Sequence, residues 1–241
     1  MRRRKNEEDF MNEVKFLKKD AIRFGWATAT GNIGFFIVML IILVSAAILP
    51  QGIAGAFGKA RLLAFIILVA GAVIQMELRL GLIKTLITFA DGKKPAVVEL
   101  FSCFDKRIVT VFVAGLLYGI MTFLGTLLLI VPGIILGIKF MFFSYFIVDK
   151  NAGIIESLEK SAELTKGSKT NIFLLALLLW LINAAGALCL GIGLIITMPL
   201  SMTAVAYVYR KLHVPEPPVA TVTGLSPAAE DYVRQKLQQP L

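Results

Sequence analysis

Apolar residues along this chain gather into runs far longer than a soluble core element needs, and polar residues collect between them. A membrane-spanning helix takes about 20 mainly apolar residues. Residues 33–49 are free of charge and stop at Pro50. A second run starts at Leu62 and stays apolar to Ile74. It then acquires Gln75, Glu77 and Arg79 while keeping a helical pattern towards Ala90. Residues 108–138 carry no charge and are too many for one crossing; Pro132-Gly133 divides them, since proline suits a helix's first turn and disrupts its interior. Spans at 108–131 and 133–148 follow. Residues 170–209 are again uncharged, with a break at Gly191 and Gly193. The pattern predicts an all-α polytopic membrane protein with six transmembrane helices in three hairpins.

Each hairpin is preceded by a shorter amphipathic segment. Phe10, Val14, Leu17, Ala21 and Phe24 recur at helical spacing with Lys15, Lys18, Lys19 and Arg23 opposite them. Asn6 suits the cap, and Glu7, Glu8 and Asp9 suit the positive end of that helix. A second segment, Ala96 to Phe104, follows the Gly92-Lys93-Lys94-Pro95 turn, and a third, Ile154 to Lys166, ends at Gly167, a natural left-handed cap. Such helices lie in the headgroup plane. Residues 24–31 and 160–167 each close on a glycine and lead into a span. Triplication of one unit would leave that trace, and so would any entry from the inside into a membrane. Three regions result: a cytoplasmic amphipathic N-terminal helix (1–32), a six-helix transmembrane domain (33–212), and a cytoplasmic tail (213–241). In the tail the stiff Val214-Pro215-Glu216-Pro217-Pro218 linker precedes a short helix opened by Ser226-Pro227.

Composition agrees with the runs. Hydrophobic residues make up 57% of the 241 and charged residues 17%, against about 45–50% and 25% in soluble domains; mean hydropathy is +0.80. Charge then orients the spans. Lys+Arg 25 against Asp+Glu 16 gives +9. In a soluble protein that excess points to nucleic acid; here it flanks the spans and marks the anionic inner face of a membrane. Eight basic residues precede the first span, six fall within 75–107, four within 149–170, and Arg210 and Lys211 follow the last span. The intervening turns carry only Lys59 and Arg61. Both termini are therefore expected in the cytoplasm. The Met-Arg-Arg-Arg-Lys start is not read as a cleaved signal, because acidic residues intervene and no apolar stretch begins before residue 33.

Several short motifs, in order, carry a family resemblance. They are Phe89-Ala90-Asp91-Gly92-Lys93-Lys94-Pro95 with Leu100-Phe101, the stretch Val131-Pro132-Gly133 to Lys139, Ile147-Val148-Asp149, and Ser161 to Gly167. Across about residues 20–212 the chain resembles uncharacterised bacterial multi-pass proteins and is similar to the membrane domain that precedes the catalytic domain in some glycerophosphoryl diester phosphodiesterases. The resemblance implies fold and threading, not reaction, because no phosphodiesterase domain is attached.

Candidate chemistry is sparse. One histidine, His213, and two cysteines, Cys103 and Cys189, predicted on opposite sides of the bilayer, make no zinc site or redox pair. Lys139 is the sharpest feature, since an intramembrane cation costs about 2.5–3.5 kcal/mol on insertion scales. Seven residues beyond Pro132, it lies about 10 Å below the outer boundary, within snorkelling reach of it. Asn183 has a similar expected depth, and Pro199 frees the carbonyl of Ile195. Lys139, Asn183 and Pro199 thus form a candidate intramembrane polar cluster, against ordinary inter-helix packing. Glu77 and Arg79 are candidate inner-interface charges that do not face one another. Gly133 and Gly137 make a GxxxG match. Trp26 fits an aromatic belt, Trp180 a core position, and His213 a solvated interfacial one.

No nucleophile–base pair, paired carboxylates, phosphate-binding glycine loop or metal cluster is present in the sequence, so neither an enzyme nor a cofactor is expected. The expected role is that of a non-catalytic protein of the bacterial inner membrane. It would organise or assist membrane lipids, anionic ones at the cytoplasmic leaflet above all, or another membrane protein, with no nucleic-acid partner. The alternative is a transporter or channel for a small or amphipathic solute using the Lys139 cluster.

Overall fold

The computed structural model describes residues 17–57, 60–101, 107–188 and 191–213. The expected N-terminal cap at Asn6, both cysteines and the tail helix after Ser226 lie outside them. All regular structure among the described residues is helical: α1 (Lys18–Gly31), α2 (Ile33–Ala56), α3 (Arg61–Ala90), a 3-10 turn (Val97–Phe101), α4 (Arg107–Leu128), α5 (Ile130–Phe140), α6 (Phe143–Lys150), α7 (Ile154–Leu164), α8 (Lys169–Leu188) and α9 (Leu194–His213). Five helical stretches are long and apolar enough to cross a membrane: α2, α3, α4, the α5–α6 stretch Ile130–Lys150, and α8. Only 6–17% of the apolar windows of α2, α3 and α4 is buried inside the protein, so these helices turn their apolar surface outwards, as a lipid solvent requires. The chain is membrane-integral. The sixth apolar run forms α9, which is not among the five; it carries Thr197, Ser201 and Thr203 and packs against α1, α2, α3 and α8 as the central helix.

Two predicted helix ends move, for one physical reason. The first span does not stop at Pro50: α2 runs through it to Ala56. Proline's missing N–H orphans the carbonyl four residues back, Ala46, and Gln75 of α3 replaces the lost donor, its side-chain amide Nε2 donating to that carbonyl at 3.2 Å. Gly71 makes room for the ring, since a Cβ there would collide with Pro50 Cβ. Conversely, the predicted span 133–148 is broken at Met141–Phe142, where no proline or glycine stands. Ser161 of α7 and Thr165, which directly follows that helix, donate to the carbonyl of Lys139 at 3.0 and 3.3 Å, and the N–H of Phe142 donates to Ser161 Oγ at 3.1 Å. These hydroxyls take the backbone groups that a continuous helix would pair internally.

The turn between α4 and α5 also shifts. It is the single extended residue Leu129, and Pro132 sits in the first turn of α5, where its absent N–H is unneeded. Gly133 then lies against α4, with Thr126 filling the place of a Cβ, so the GxxxG glycine does mark a close helix pair.

The short amphipathic helices pack on the bundle as well. α1 lays Ala21, Gly25 and Ala29 against α9, so close that a Cβ on Gly25 would lie 2.5 Å from the carbonyl oxygen of Leu200. Phe24 stacks on Tyr207 at 4.9 Å. α7 buries Ser157, Leu158 and Ser161, and Gly167 follows with φ 79°, the left-handed conformation expected of it.

Candidate functional site: a charge lock at one end of the bundle

The densest polar chemistry lies where α3, α6 and α9 end. Asp91 follows the last residue of α3, Asp149 is the penultimate residue of α6, and Arg210 stands in the last turn of α9. The Arg210 guanidinium meets both carboxylates. Nη1 and Nη2 donate to the two oxygens of Asp149 at 3.0 Å each, and Nη2 reaches Asp91 Oδ2 at 2.7 Å with Nε 2.7 Å from Oδ1. A planar fork with five donors suits two carboxylates in this way, where an ammonium would not. Burial by itself pulls the Arg210 pKa down, but Asp91 and Asp149 outweigh it and hold the group above its ordinary value.

Around the lock is an aromatic layer. Tyr209 Oη donates to Asp149 Oδ2 at 3.0 Å. Its ring lies 5.1–5.9 Å from those of Tyr145, Phe146 and Phe142, and stacks on His213 at 5.6 Å with an interplanar angle of 3°. His213 is thus half-buried between Tyr209 and Phe146 instead of solvated. Burial, then the positive charge of Lys150, lowers its pKa below the ordinary 6.5. On the neighbouring helix pair, Phe36 stacks on Phe89 at 5.3 Å, just before Asp91.

The sequence-predicted site residues are placed differently from one another. Lys139 is half-buried, its ammonium 4.9 Å over the ring of Phe140, a cation–π contact. Asn183 donates through Nδ2 to Ser201 Oγ at 2.7 Å, and Ser201 donates to the carbonyl of Thr197 at 2.9 Å. Pro199 is buried, and its own carbonyl accepts from Thr203 at 2.7 Å. Asn183 and Pro199 therefore share the α8–α9 pair, but neither is bonded to Lys139. Glu77 is fully buried within the protein at 0% exposure, whereas Arg79 is exposed. The two do face apart, as their spacing requires. Trp180, expected in the core, is 64% exposed, and Trp26 is exposed as a belt residue should be.

The lock is not among the site residues that the sequence predicts. Asp91 and Asp149 stand inside two of the motifs that carry the resemblance, and Arg210 directly behind the last apolar run. Their shared position directly behind apolar runs is the available signal. No group of three His, Cys, Asp or Glu side chains among the described residues is arranged to hold a metal ion.

Comparison with known proteins finds bacterial relatives. The chain is 33% identical over 133 residues to uncharacterised proteins of Mycobacterium bovis and Mycobacterium tuberculosis. The match covers 55% of this chain and 40% of each relative, so the chain spans less than half the length of the curated relatives it matches. No protein-family model matches, and no solved structure does.

Proposed function

We propose that this is a non-catalytic protein of the bacterial inner membrane, threaded six times as three hairpins with both termini in the cytoplasm. Its work lies at the cytoplasmic face, where it organises anionic membrane lipids or holds a partner membrane protein. The observation that carries this reading is the lock. Arg210 joins the ends of α3, α6 and α9, the returning arms of the three hairpins, at a single point. Helices that return to one point return to one face, which supports an even number of crossings. The same end carries Lys18, Lys150, Lys160 and Lys211 and the packed helices α1 and α7, as the positive-inside rule asks of a cytoplasmic face. The opposite ends are plain: Leu129 alone turns α4 into α5. The resemblance to the membrane domain of glycerophosphoryl diester phosphodiesterases supports the same threading, and we extend it no further than that.

The alternative of a transporter depends on Lys139, Asn183 and Pro199 acting together, and their contacts run to Phe140, Ser201 and Thr203. It is the weaker reading. Single cysteines at Lys93 and Lys150, on a background lacking Cys103 and Cys189, test the orientation. They react with an impermeant maleimide in inverted vesicles and not in intact cells; labelling from outside overturns the threading. Purification in mild detergent tests the role. Reproducible retention of anionic lipid or of one membrane-protein partner supports it, and solute flux in proteoliposomes with neither retained overturns it.

A further inference from the structure

α3 and α4 leave between them a lateral cleft of about 550 Å³, within the range of ligand pockets. Its floor is Phe143 and Ser144, at the start of α6 beyond the helix break. The walls are apolar, Met76, Leu80 and Ile83 from α3 facing Val111, Phe112 and Leu116 from α4. Three polar side chains enter it: Gln75 and Arg79, one turn apart on α3, and Ser144. Arg79 makes no hydrogen bond or ion pair among the described residues, and its side chain is exposed into this space. A guanidinium beside an apolar slot, with no carboxylate opposite, is complementary to an amphiphile with an anionic head.

The level of Arg79 identifies the amphiphile. Arg61 and Arg79 bracket the apolar part of α3, and eighteen residues at 1.5 Å each set them about 27 Å apart, close to the roughly 30 Å of a bilayer's hydrocarbon core. With Arg61 at the outer boundary, Arg79 stands at the headgroups of the inner leaflet. Val148, next to Asp149 of the lock, packs against Leu80, next to Arg79, so the lock lies towards the same inner boundary. The cleft therefore opens where anionic phosphate heads and acyl chains meet.

We infer that this cleft is a binding site for one anionic phospholipid of the inner leaflet, its phosphate on Arg79 and one acyl chain between α3 and α4. The inference rests on the orientation proposed above and gives the lipid role of that reading a specific seat. Gly115 supplies a second, independent handle. It lines the cleft, and a Cβ there would meet only Phe143 Cζ at 3.7 Å, so a larger side chain projects into free space without displacing backbone.

Native mass spectrometry of the delipidated full chain, offered phosphatidylglycerol or phosphatidylcholine in mixed micelles, tests it. Wild type retains one phosphatidylglycerol at least fivefold over phosphatidylcholine, and soluble glycerol phosphate does not displace it. Arg79→Gln reduces that preference below twofold, and Gly115→Leu reduces retention of both lipids at least fivefold, while both variants unfold in detergent as wild type does. Preference kept in Arg79→Gln, retention unchanged in Gly115→Leu, displacement by soluble glycerol phosphate, or no lipid retained by wild type would each overturn the site. Cysteine labelling of residues 93 and 150 reads the orientation separately, so failure of the site and failure of the threading are distinct results.

Discussion

Replacing Arg210 with leucine removes the guanidinium that ties the ends of α3 and α6 to α9. Its guanidinium makes contacts of 2.7–3.0 Å with both carboxylates, and the side chains of Arg210, Asp149 and Asp91 are 19%, 12% and 33% exposed. An exposed ion pair is worth about 0–1 kcal/mol, whereas removing one partner from a buried pair costs about 3–5 kcal/mol. Asp149 lies near the buried limit and Asp91 between the two. The expected loss for Arg210→Leu is therefore about 2–4 kcal/mol, measured by denaturant unfolding in detergent followed by helical circular dichroism. Most of that loss is the penalty of leaving two carboxylates facing each other across the space of one guanidinium. It follows that Asp91→Leu/Asp149→Leu/Arg210→Leu, which removes all three charges and keeps apolar volume, unfolds at higher denaturant than Arg210→Leu alone. Wild-type stability in Arg210→Leu refutes the lock as a tie between α3, α6 and α9. A triple variant no better than the single one refutes the account of where the energy comes from.

Two further outcomes follow from single contacts. Gln75→Leu leaves the carbonyl of Ala46 without its donor beside Pro50 and lowers stability by about 0.5–2 kcal/mol in the same unfolding assay, whereas a Pro50→Ala/Gln75→Leu pair, which restores the helical N–H, recovers most of the loss. His213 makes the packed end sensitive to acid: burial and Lys150 hold its pKa below 6.5, so the unfolded chain takes up the proton first as pH falls. The associated stability is whole above pH 6.5 and declines as acidification proceeds below it; His213→Gln flattens that slope in unfolding titrations from pH 8 to 5.

The apolar runs made the helices legible, because a lipid solvent forces long uncharged segments and leaves little choice of structure for them. Gly167 as a left-handed cap and Gly133 at a close helix contact were legible for a similar local reason. The burial of Glu77 and the exposure of Trp180 were not, since which side of a helix faces its neighbours depends on helices far away in sequence. The lock was hidden by the same distance: 119 residues separate Asp91 from Arg210, and 61 separate Asp149 from it. Each of the three looked like one more charge at a membrane boundary.

The helix boundaries show how that distance works. Pro50 reads as a stop and does not stop α2; Met141-Phe142 reads as continuous helix and breaks. Where water is scarce, an orphaned backbone group is costly, so a helix ends where its freed groups find partners and persists where they are supplied from outside. Gln75, 29 residues from Ala46, supplies the donor that Pro50 lacks; Ser161, 19 residues from Phe142, accepts the N–H that the helix would have used. Local punctuation reports which groups a residue type frees, and only the packed neighbours decide whether they are taken up. A polar side chain inside an apolar run is therefore best read first as the partner of another segment's backbone. Gln75 and Ser161 fill that role, and Arg79, with no such partner among the described residues, is the one whose partner is sought outside the chain.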